Sequence, residues 1–300
     1  MSAPLVVLGP TASGKSDVAM AFARRHPEVE IVVVDAMQVY RGMDIGTAKP
    51  TAADRHEVRH HCVDLVAASS EFSLADHRIA ARSALVDIES RGGRAVIVAG
   101  TGLYLRAVLD DVEPPGRWPD IAASLDARLA AESPSELHRE LTDLDPVAAA
   151  RIEPGNARRV VRALEVCLGS GRPFSSFGPG LTVYPDTPAR LVGLRWPREI
   201  LRERIARRVH RMVADGLVDE VAGLAAAGMS RTARQALGYR EVLEHLAGRT
   251  SLDEAIATTI TRTVQFAVRQ ERWFRRDPRI SWVDIAHDPV AEVLPVIEAS

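Results

Sequence analysis

Gly9-Pro10-Thr11-Ala12-Ser13-Gly14-Lys15-Ser16 fits the pattern G-x-x-x-x-G-K-[ST]. The run before it, Leu5-Val6-Val7-Leu8, is short and wholly apolar, as a buried strand would be. After it, Asp17 to Arg25 sets Val18, Ala21 and Phe22 on one side of a helix. Strand, glycine-rich turn and helix in that order make a phosphate cradle rather than a plain connection. The glycines let successive backbone N–H groups aim at one anion, and the helix adds its positive N-terminal end. Lys15 is placed to neutralise a terminal phosphate and Ser16 to ligate Mg2+. All eight residues of the motif are therefore assigned to holding a diphosphate.

Outward from the cradle, Ile31 to Val34 reads as a second buried strand ending at Asp35. Ala95 to Val98 reads as a third, ending at Gly100-Thr101-Gly102. Helices over Leu74 to Ile88 and Leu103 to Leu109 alternate with these strands. Such alternation predicts an α/β fold, a P-loop NTPase-like parallel sheet flanked by helices with right-handed crossovers. Two breaker clusters interrupt it, Glu113 to Pro119 and Phe177-Gly178-Pro179-Gly180 through Pro188. Between them helices are expected at Ile121 to Ala131, Ser135 to Asp143, Pro146 to Arg151 and Ala157 to Leu168. The strand pattern resumes at Arg190 to Trp196. Helices follow at Glu199 to Ala214, Leu217 to Ala227, Tyr239 to Leu246 and Leu252 to Arg275. This divides the chain into a catalytic core, 1–113 with 189–300, and a helical insert subdomain, 114–188.

The composition, 46% hydrophobic and 26% charged over 300 residues, suits a folded protein rather than a disordered one. Cys62 and Cys167 have no metal-site spacing and read as free thiols in a reducing compartment. No apolar run is long enough for a membrane span, and Met1-Ser2-Ala3-Pro4 carries no basic segment of a secretory signal. A cytoplasmic monomer without a membrane partner is expected. Of the 38 basic residues only Lys15 and Lys49 are lysine, so a compact ammonium is wanted at those two positions. From Arg190 to Arg279 there are 18 arginines against 11 acids, a charge suited to a polyanionic partner.

A P-loop does not name a reaction. The strand Ala95 to Val98 ends without the carboxylate that P-loop ATPases place there, which points away from hydrolysis and toward group transfer. The segment Val34-Asp35-Ala36-Met37-Gln38-Val39-Tyr40-Arg41-Gly42-Met43-Asp44-Ile45-Gly46-Thr47-Ala48-Lys49-Pro50, taken with the P-loop, resembles the tRNA dimethylallyltransferases (tRNA isopentenyl-diphosphate transferases) of bacterial type. The resemblance continues through His60-His61-Cys62-Val63-Asp64, Gly100 to Tyr104, Asn156 to Val166 and Gln235 to Arg240, in the family's order and over nearly the whole chain. It implies dimethylallyl diphosphate as donor. The acceptor it implies is the N6 amine of the adenosine 3′ of the anticodon, in tRNAs reading codons that begin with U. It also marks departures. Ala36 stands where many relatives carry serine, Ala122 where an arginine is common, and the C-terminal zinc finger of eukaryotic relatives has no counterpart before Ser300.

Residue chemistry supports that reading independently. Alkylating an exocyclic amine requires a proton acceptor, and a carboxylate at a strand's C-terminal end near the P-loop is well placed. Asp35 is the expected general base, the role the resemblance also gives it; orienting a Mg2+-bound water is the alternative. Negative charge grows on the departing diphosphate, so fixed donors are expected there. Lys15, Thr101 and an arginine of the second half meet that need. In Glu199 to Ala214 the arginines at 204, 208 and 211 form a polar stripe. By position the diphosphate-contacting arginine that the resemblance implies is Arg208, whereas Arg204 and Arg211 suit a solvated face. The role of Lys49 stays open. His60-His61-Cys62 reads as structural, since neighbours on a strand point to opposite faces.

For the nucleic acid, Arg151 to Arg172 holds five arginines against two acids. Arg158, Arg159 and Arg162, within the block Arg158-Arg159-Val160-Val161-Arg162, are expected to grip tRNA phosphates or stack on bases. Gln235-Ala236-Leu237-Gly238-Tyr239-Arg240 offers an amide, an aromatic ring and a guanidinium to an unstacked base. Asp35, Ala36, Met37 and Gln38 are expected to flank the flipped adenine. Gln265, Arg269, Arg272 and Arg276 share one face of the last long helix. Three other readings remain: a small-molecule P-loop kinase, an adenylate prenyltransferase and a nucleotide-dependent RNA-binding switch. The helical insert, for which neither enzymatic rival has a use, favours the anticodon stem-loop of a tRNA as partner.

Overall fold

Leu5 and Val7 of the first strand pack to one side of a sheet, and Val6 and Leu8 to the other. Both faces are therefore covered, which is why this strand is apolar at every position. The structure, a computed structural model, describes residues 3–110, 115–177 and 183–299. Met1-Ser2, the expected boundary residue Pro114 with Glu113 before it, the Gly178-Pro179-Gly180 break and Ser300 lie outside those residues.

In chain order, β1 (Leu5–Leu8), α1 (Lys15–Arg25), β2 (Val29–Val34), β3 (Tyr40–Arg41), α2 (Ala52–Glu57) and β4 (His60–His61) come first. β5 (Val66–Ala67), α3 (Leu74–Ser90), β6 (Arg94–Ala99) and α4 (Gly102–Leu109) follow. Next stand α5 (Pro119–Ala131), α6 (Pro134–Leu144), α7 (Pro146–Ala149) and α8 (Ala157–Ser170). β7 (Arg190–Arg195), α9 (Arg198–Ala214), α10 (Leu217–Ala227), α11 (Arg231–Arg234) and α12 (Tyr239–Leu246) come after the insert. α13 (Leu252–Phe274), β8 (Ile280–Asp284) and α14 (Pro289–Glu298) complete the described chain. Two compact units result, Met1–Asp111 with Pro185–Ser300, and Val112–Tyr184.

The first unit holds a six-stranded sheet in the order β4-β2-β6-β1-β7-β8, with every pairing parallel. Val18, Phe22, Ile205 and Val293 cover one face. Ala81, Ile88, Leu105 and Phe274 cover the other. The strands β2, β6, β1 and β7 are adjacent, so the turns that leave their C-terminal ends share one edge, where ligands of open α/β sheets bind. A separate cluster of Val39, Tyr40, Met43, Leu217, Val221 and Tyr239 packs around the short β3–β5 pair.

The second unit has its own core of Leu125, Leu137, Leu141, Val160, Ala163 and Leu164. Three of its helices, α6, α7 and α8, start on side-chain caps: Ser133 accepts from the Glu136 N–H, Asp145 from the Ala148 N–H and Asn156 from the Arg159 N–H. Asp145 also receives the Ser175 N–H at 2.7 Å, tying the segment after α8 back to the helix cluster.

Candidate active site

The P-loop turns its carbonyls away from the anion position. The Ala12 carbonyl accepts from Arg204 Nε at 2.9 Å and the Ser13 carbonyl from Trp196 Nε1 at 2.9 Å. The Pro10 carbonyl takes the Ser13 N–H at 3.2 Å and Lys15 Nζ at 3.3 Å. With those oxygens occupied, the N–H groups of Ala12, Gly14, Lys15 and Ser16 remain without partners among the described residues. Gly14 takes φ 92°, and a Cβ there would lie 2.4 Å from Pro289 Cγ, so only glycine fits the turn. Ala12 adopts φ 62°, a left-handed conformation held by the contacts around it. Four motif residues contribute differently than expected. Pro10 has no N–H to give, the Gly9 N–H donates to the Ala99 carbonyl at 3.3 Å, the Ser13 N–H is the one taken by Pro10, and the Thr11 N–H donates to Gln270 Oε1 at 2.9 Å.

The cradle opens into a cavity of about 350 Å³ lined by Gly14, Lys15, Ser16 and Asp17 on one side. Arg204, Arg207, Arg208 and Arg211 of α9 line the other. The expectation of a solvated face is corrected for Arg204, which is half-buried at the cavity and stacks on Trp196 with its guanidinium carbon 4.3 Å from the ring centroid, whereas Arg211 is exposed where it borders the cavity. Burial holds the Arg208 guanidinium below its usual value, against the opposite pull of Asp35 and Asp17. The Lys15 ammonium is enclosed, and burial with nearby Arg208 lowers it to about 8, while Asp35 and Asp17 act to raise it. Asp35, Lys15 and Arg208 thus sit within electrostatic reach of one another.

Asp35 leaves β2 at the shared sheet edge. Its Oδ1 accepts the N–H groups of Met37 at 2.8 Å and Gln38 at 3.2 Å, an arrangement that fixes the carboxylate. Oδ2 makes no hydrogen bond among the described residues. Thr101 caps α4 without using its hydroxyl on the helix, and that oxygen has no hydrogen-bond partner among the described residues. Behind Asp35, His77 is fully buried edge-on to Tyr104, ring centroids 5.1 Å apart. Its ring nitrogens make no well-formed hydrogen bond and gain only weak support from the Val33 carbonyl. Burial pushes the imidazole down to about 4, against the pull of Asp35, so the ring is neutral near pH 7.

The loop beyond Asp35 is braced from within. Buried Lys49 donates to the Tyr40 carbonyl at 2.7 Å, Asp44 Oδ1 at 2.6 Å and Asp64 Oδ1 at 2.6 Å, so all three ammonium protons are used. That settles the open role of Lys49 as internal support. His61 Nε2 lies 2.6 Å from Glu30, itself paired with Arg91, and His60 Nδ1 lies 2.7 Å from the Val58 carbonyl.

The IPP transferase family model matches residues 38–277 of this chain. A tRNA dimethylallyltransferase from Kineococcus radiotolerans is 48% identical, over 99% of this chain and 98% of that protein. The chain belongs to the IPP transferase family. Another tRNA dimethylallyltransferase, from Geobacter metallireducens, is 48% identical over 93% of this chain and 92% of that one. Among solved structures, the full-length tRNA isopentenylpyrophosphate transferase of Bacillus halodurans superposes with a TM-score of 0.70 at 36% identity, covering 100% of this chain and 96% of that one. A eukaryotic dimethylallyltransferase, crystallised acting on tRNA, gives a TM-score of 0.76 at 25% identity, over 95% of this chain and 74% of that chain.

In this IPP transferase the residues expected to touch RNA separate by burial. Arg158 and Arg159 are exposed at the start of α8, but Val160 and Val161 face the insert core and present no side chain to a ligand. Arg162 is spent within the insert, on Glu165 at 2.8 Å and on the carbonyls of Pro115 and Gly116. In the second block Gln235 and Arg240 are exposed and Leu237 is half-buried. Ala236, Gly238 and Tyr239 are buried. The expected base-stacking role of Tyr239 is therefore corrected: its hydroxyl donates to Glu220 Oε1 at 2.5 Å and its ring packs against Gly46. Ala36, Met37 and Gln38 are half-buried beside Asp35, and Gln38 Nε2 donates to the Thr47 carbonyl at 3.2 Å. Gln265, Arg269 and Arg272 are exposed along α13, and Arg276 is exposed just past its end. Four residues went unnoticed in the sequence: Trp196, Arg207, Glu220 and Gln270. Trp196, Glu220 and Gln270 bond to residues far away along the chain, and Arg207 meets the P-loop only across the cavity. The one available signal was polarity at positions whose helical spacing is otherwise apolar, as at Gln270 between Ala267 and Phe274.

Proposed function

We propose that this chain transfers the dimethylallyl group of dimethylallyl diphosphate to N6 of the adenosine 3′ of the anticodon, in tRNAs reading codons that begin with U. The products are N6-dimethylallyladenosine and diphosphate. One observation carries the reading. Among the described residues, a carboxylate with an uncommitted oxygen stands within electrostatic reach of Lys15 and Arg208, at the same sheet edge as a P-loop with four N–H groups left without partners.

The P-loop N–H groups, Lys15 and Arg208 hold the diphosphate and take up the charge that grows as the C–O bond breaks. The N6 lone pair forms the new bond to the allylic carbon, the bond electrons leave with the bridging oxygen, and the N6 proton passes to Asp35 Oδ2. The Thr101 hydroxyl donates to the departing oxygen. The Ser16 hydroxyl at the cavity wall is the side chain that would hold Mg2+, a hard ion suited to oxygen donors. When bound, it would lower the charge of the leaving group. Exposed Arg158, Arg159, Gln235 and Arg240 are the side chains proposed to meet tRNA, with Ala36, Met37 and Gln38 around the flipped base.

Labelled dimethylallyl diphosphate with Mg2+ and unmodified tRNA, or its anticodon stem-loop, tests the assignment: the wild-type chain labels the RNA. Asp35→Asn is expected to lower kcat by about 1,000-fold, within the range of general-base contributions, with donor affinity unchanged within about threefold. Turnover near that of the wild type in Asp35→Asn would exclude the base role. Labelling of free AMP in place of tRNA would favour the adenylate prenyltransferase.

A further inference from the structure

The buried stripe of α13 includes Ala267, Gln270 and Phe274. An amide in such a stripe is costly unless both of its polar groups find partners. Both do. Gln270 Oε1 accepts the Thr11 N–H at 2.9 Å, and Gln270 Nε2 donates to the Gly100 carbonyl at 2.6 Å. Those partners belong to two different turns of the sheet edge, the P-loop after β1 and the Gly100-Thr101 turn after β6. A Cβ at Gly100 would lie 3.3 Å from Gln270 Nε2 and 3.5 Å from Lys15 Nζ, so the amide and the ammonium both pack over that turn. One helical turn along, Trp273 fills the space a side chain at Gly102 would need, its Cδ1 lying 1.8 Å from the site of a Cβ.

We propose that Gln270 is a positioning residue for the transfer: its single amide sets the spacing between the P-loop and the Gly100-Thr101 turn, and so places the Thr101 hydroxyl relative to the diphosphate held by Lys15. This rests on the function proposed above. The amide also withdraws the Thr11 N–H from the anion, so ground-state binding of diphosphate falls to Ala12, Gly14, Lys15 and Ser16 and does not need Gln270. Alignment at the breaking bond does. A misplacement of about 1 Å there costs on the order of 100-fold in rate.

Gln270→Met keeps the volume and removes both hydrogen bonds; steady-state transfer to tRNA and calorimetric binding of inorganic diphosphate read the outcome. The expected result is a kcat lower by about 100-fold with the diphosphate Kd within about threefold of wild type. Added to Thr101→Ala, Gln270→Met should cost less than about threefold more, because both changes act on one alignment. Should Gln270→Met lose its cooperative melting transition, Gln270→Asn, which keeps the amide one methylene short, supplies the same comparison. Equal losses in kcat and diphosphate affinity, or multiplying losses in the double variant, would overturn the proposal. A wild-type chain that leaves tRNA unlabelled instead defeats the functional reading, whereas an active wild type matched by Gln270→Met defeats this inference alone.

Discussion

Burial against the cradle makes the Lys15 ammonium harder to charge, and Arg208 adds a second positive charge beside it. Together they hold its pKa at about 8, although Asp35 and Asp17 favour the charged form. Below that value Lys15 is charged and ready for an anion; above it the empty site holds a neutral amine. Binding a diphosphate then requires proton uptake. Donor affinity is therefore expected to be flat from pH 6.5 to 7.5 and to fall by about tenfold per unit once the pH exceeds 8 by a unit or more. Titration calorimetry with dimethylallyl diphosphate between pH 6.5 and 9.5 measures this. Lys15→Met should bind more weakly throughout and lose the slope, and an unchanged slope in that variant would assign the titration to another group. Lys49, the other lysine, shows why rarity alone did not reveal a role. One ammonium faces an anion site and the other three internal oxygens, and only the fold distinguishes them.

The loop after β3 owes its shape to α10. Glu220 accepts the N–H groups of Asp44 at 3.0 Å, Ile45 at 2.7 Å and Gly46 at 3.2 Å, with the Tyr239 hydroxyl of α12 at 2.5 Å. The loop in turn fixes Gln38 through the Thr47 carbonyl. Removing the acceptor strands four donors at once, so Glu220→Ala is expected to destabilise by about 3 kcal/mol and Tyr239→Phe by about 1 kcal/mol. Their double variant should lose less than the sum, because both delete one network. Urea unfolding of the three variants measures these values; strictly additive losses would mean the two residues act separately. Glu220 also marks the limit of what periodicity conveys. The strands ending at Leu8, Val34 and Ala99, the P-loop and Asp35 were legible because each is defined by neighbours within a few residues. α10 was legible as a helix, but Glu220 at its start resembles any acid in a first turn, and the loop N–H groups it accepts lie about 175 residues earlier. β8 and α14 escaped notice for local reasons: β8 is a half-exposed edge strand, and α14 contains Pro295, which reads as a breaker. Tyr239 was misread because an aromatic beside glycine and arginine looks the same in a binding loop and in a core.

The catalytic unit closes on itself where the insert leaves it. Arg279 Nη1 donates to Asp110 Oδ1 at 2.7 Å and to the Pro185 carbonyl at 2.7 Å, so the segment that leads to the insert and the one that returns from it meet on one guanidinium. Asp277 shares that guanidinium through Nη2 at 2.6 Å, which keeps it in place from the β8 side. The insert has a core of its own, built around Leu137, Leu141, Val160 and Leu164. Residues 112–184 should therefore be replaceable by a short Gly/Ser linker without unravelling the sheet, since closing a loop of a few residues between neighbouring ends costs little. The shortened chain is expected to keep one cooperative melting transition and to bind inorganic diphosphate within about threefold of wild type, because none of the cradle's partners lies in the insert. What it should lose is the acceptor. With Arg158 and Arg159 gone, tRNA affinity is expected to fall by at least about tenfold at 150 mM salt, and the slope of log affinity against log salt to become shallower by about one to two, as two released phosphate contacts would require. Filter binding across a salt series decides this. Unaltered tRNA affinity in a folded, diphosphate-binding core would place RNA recognition wholly on the catalytic unit, on Gln235, Arg240 and the exposed arginines of α13.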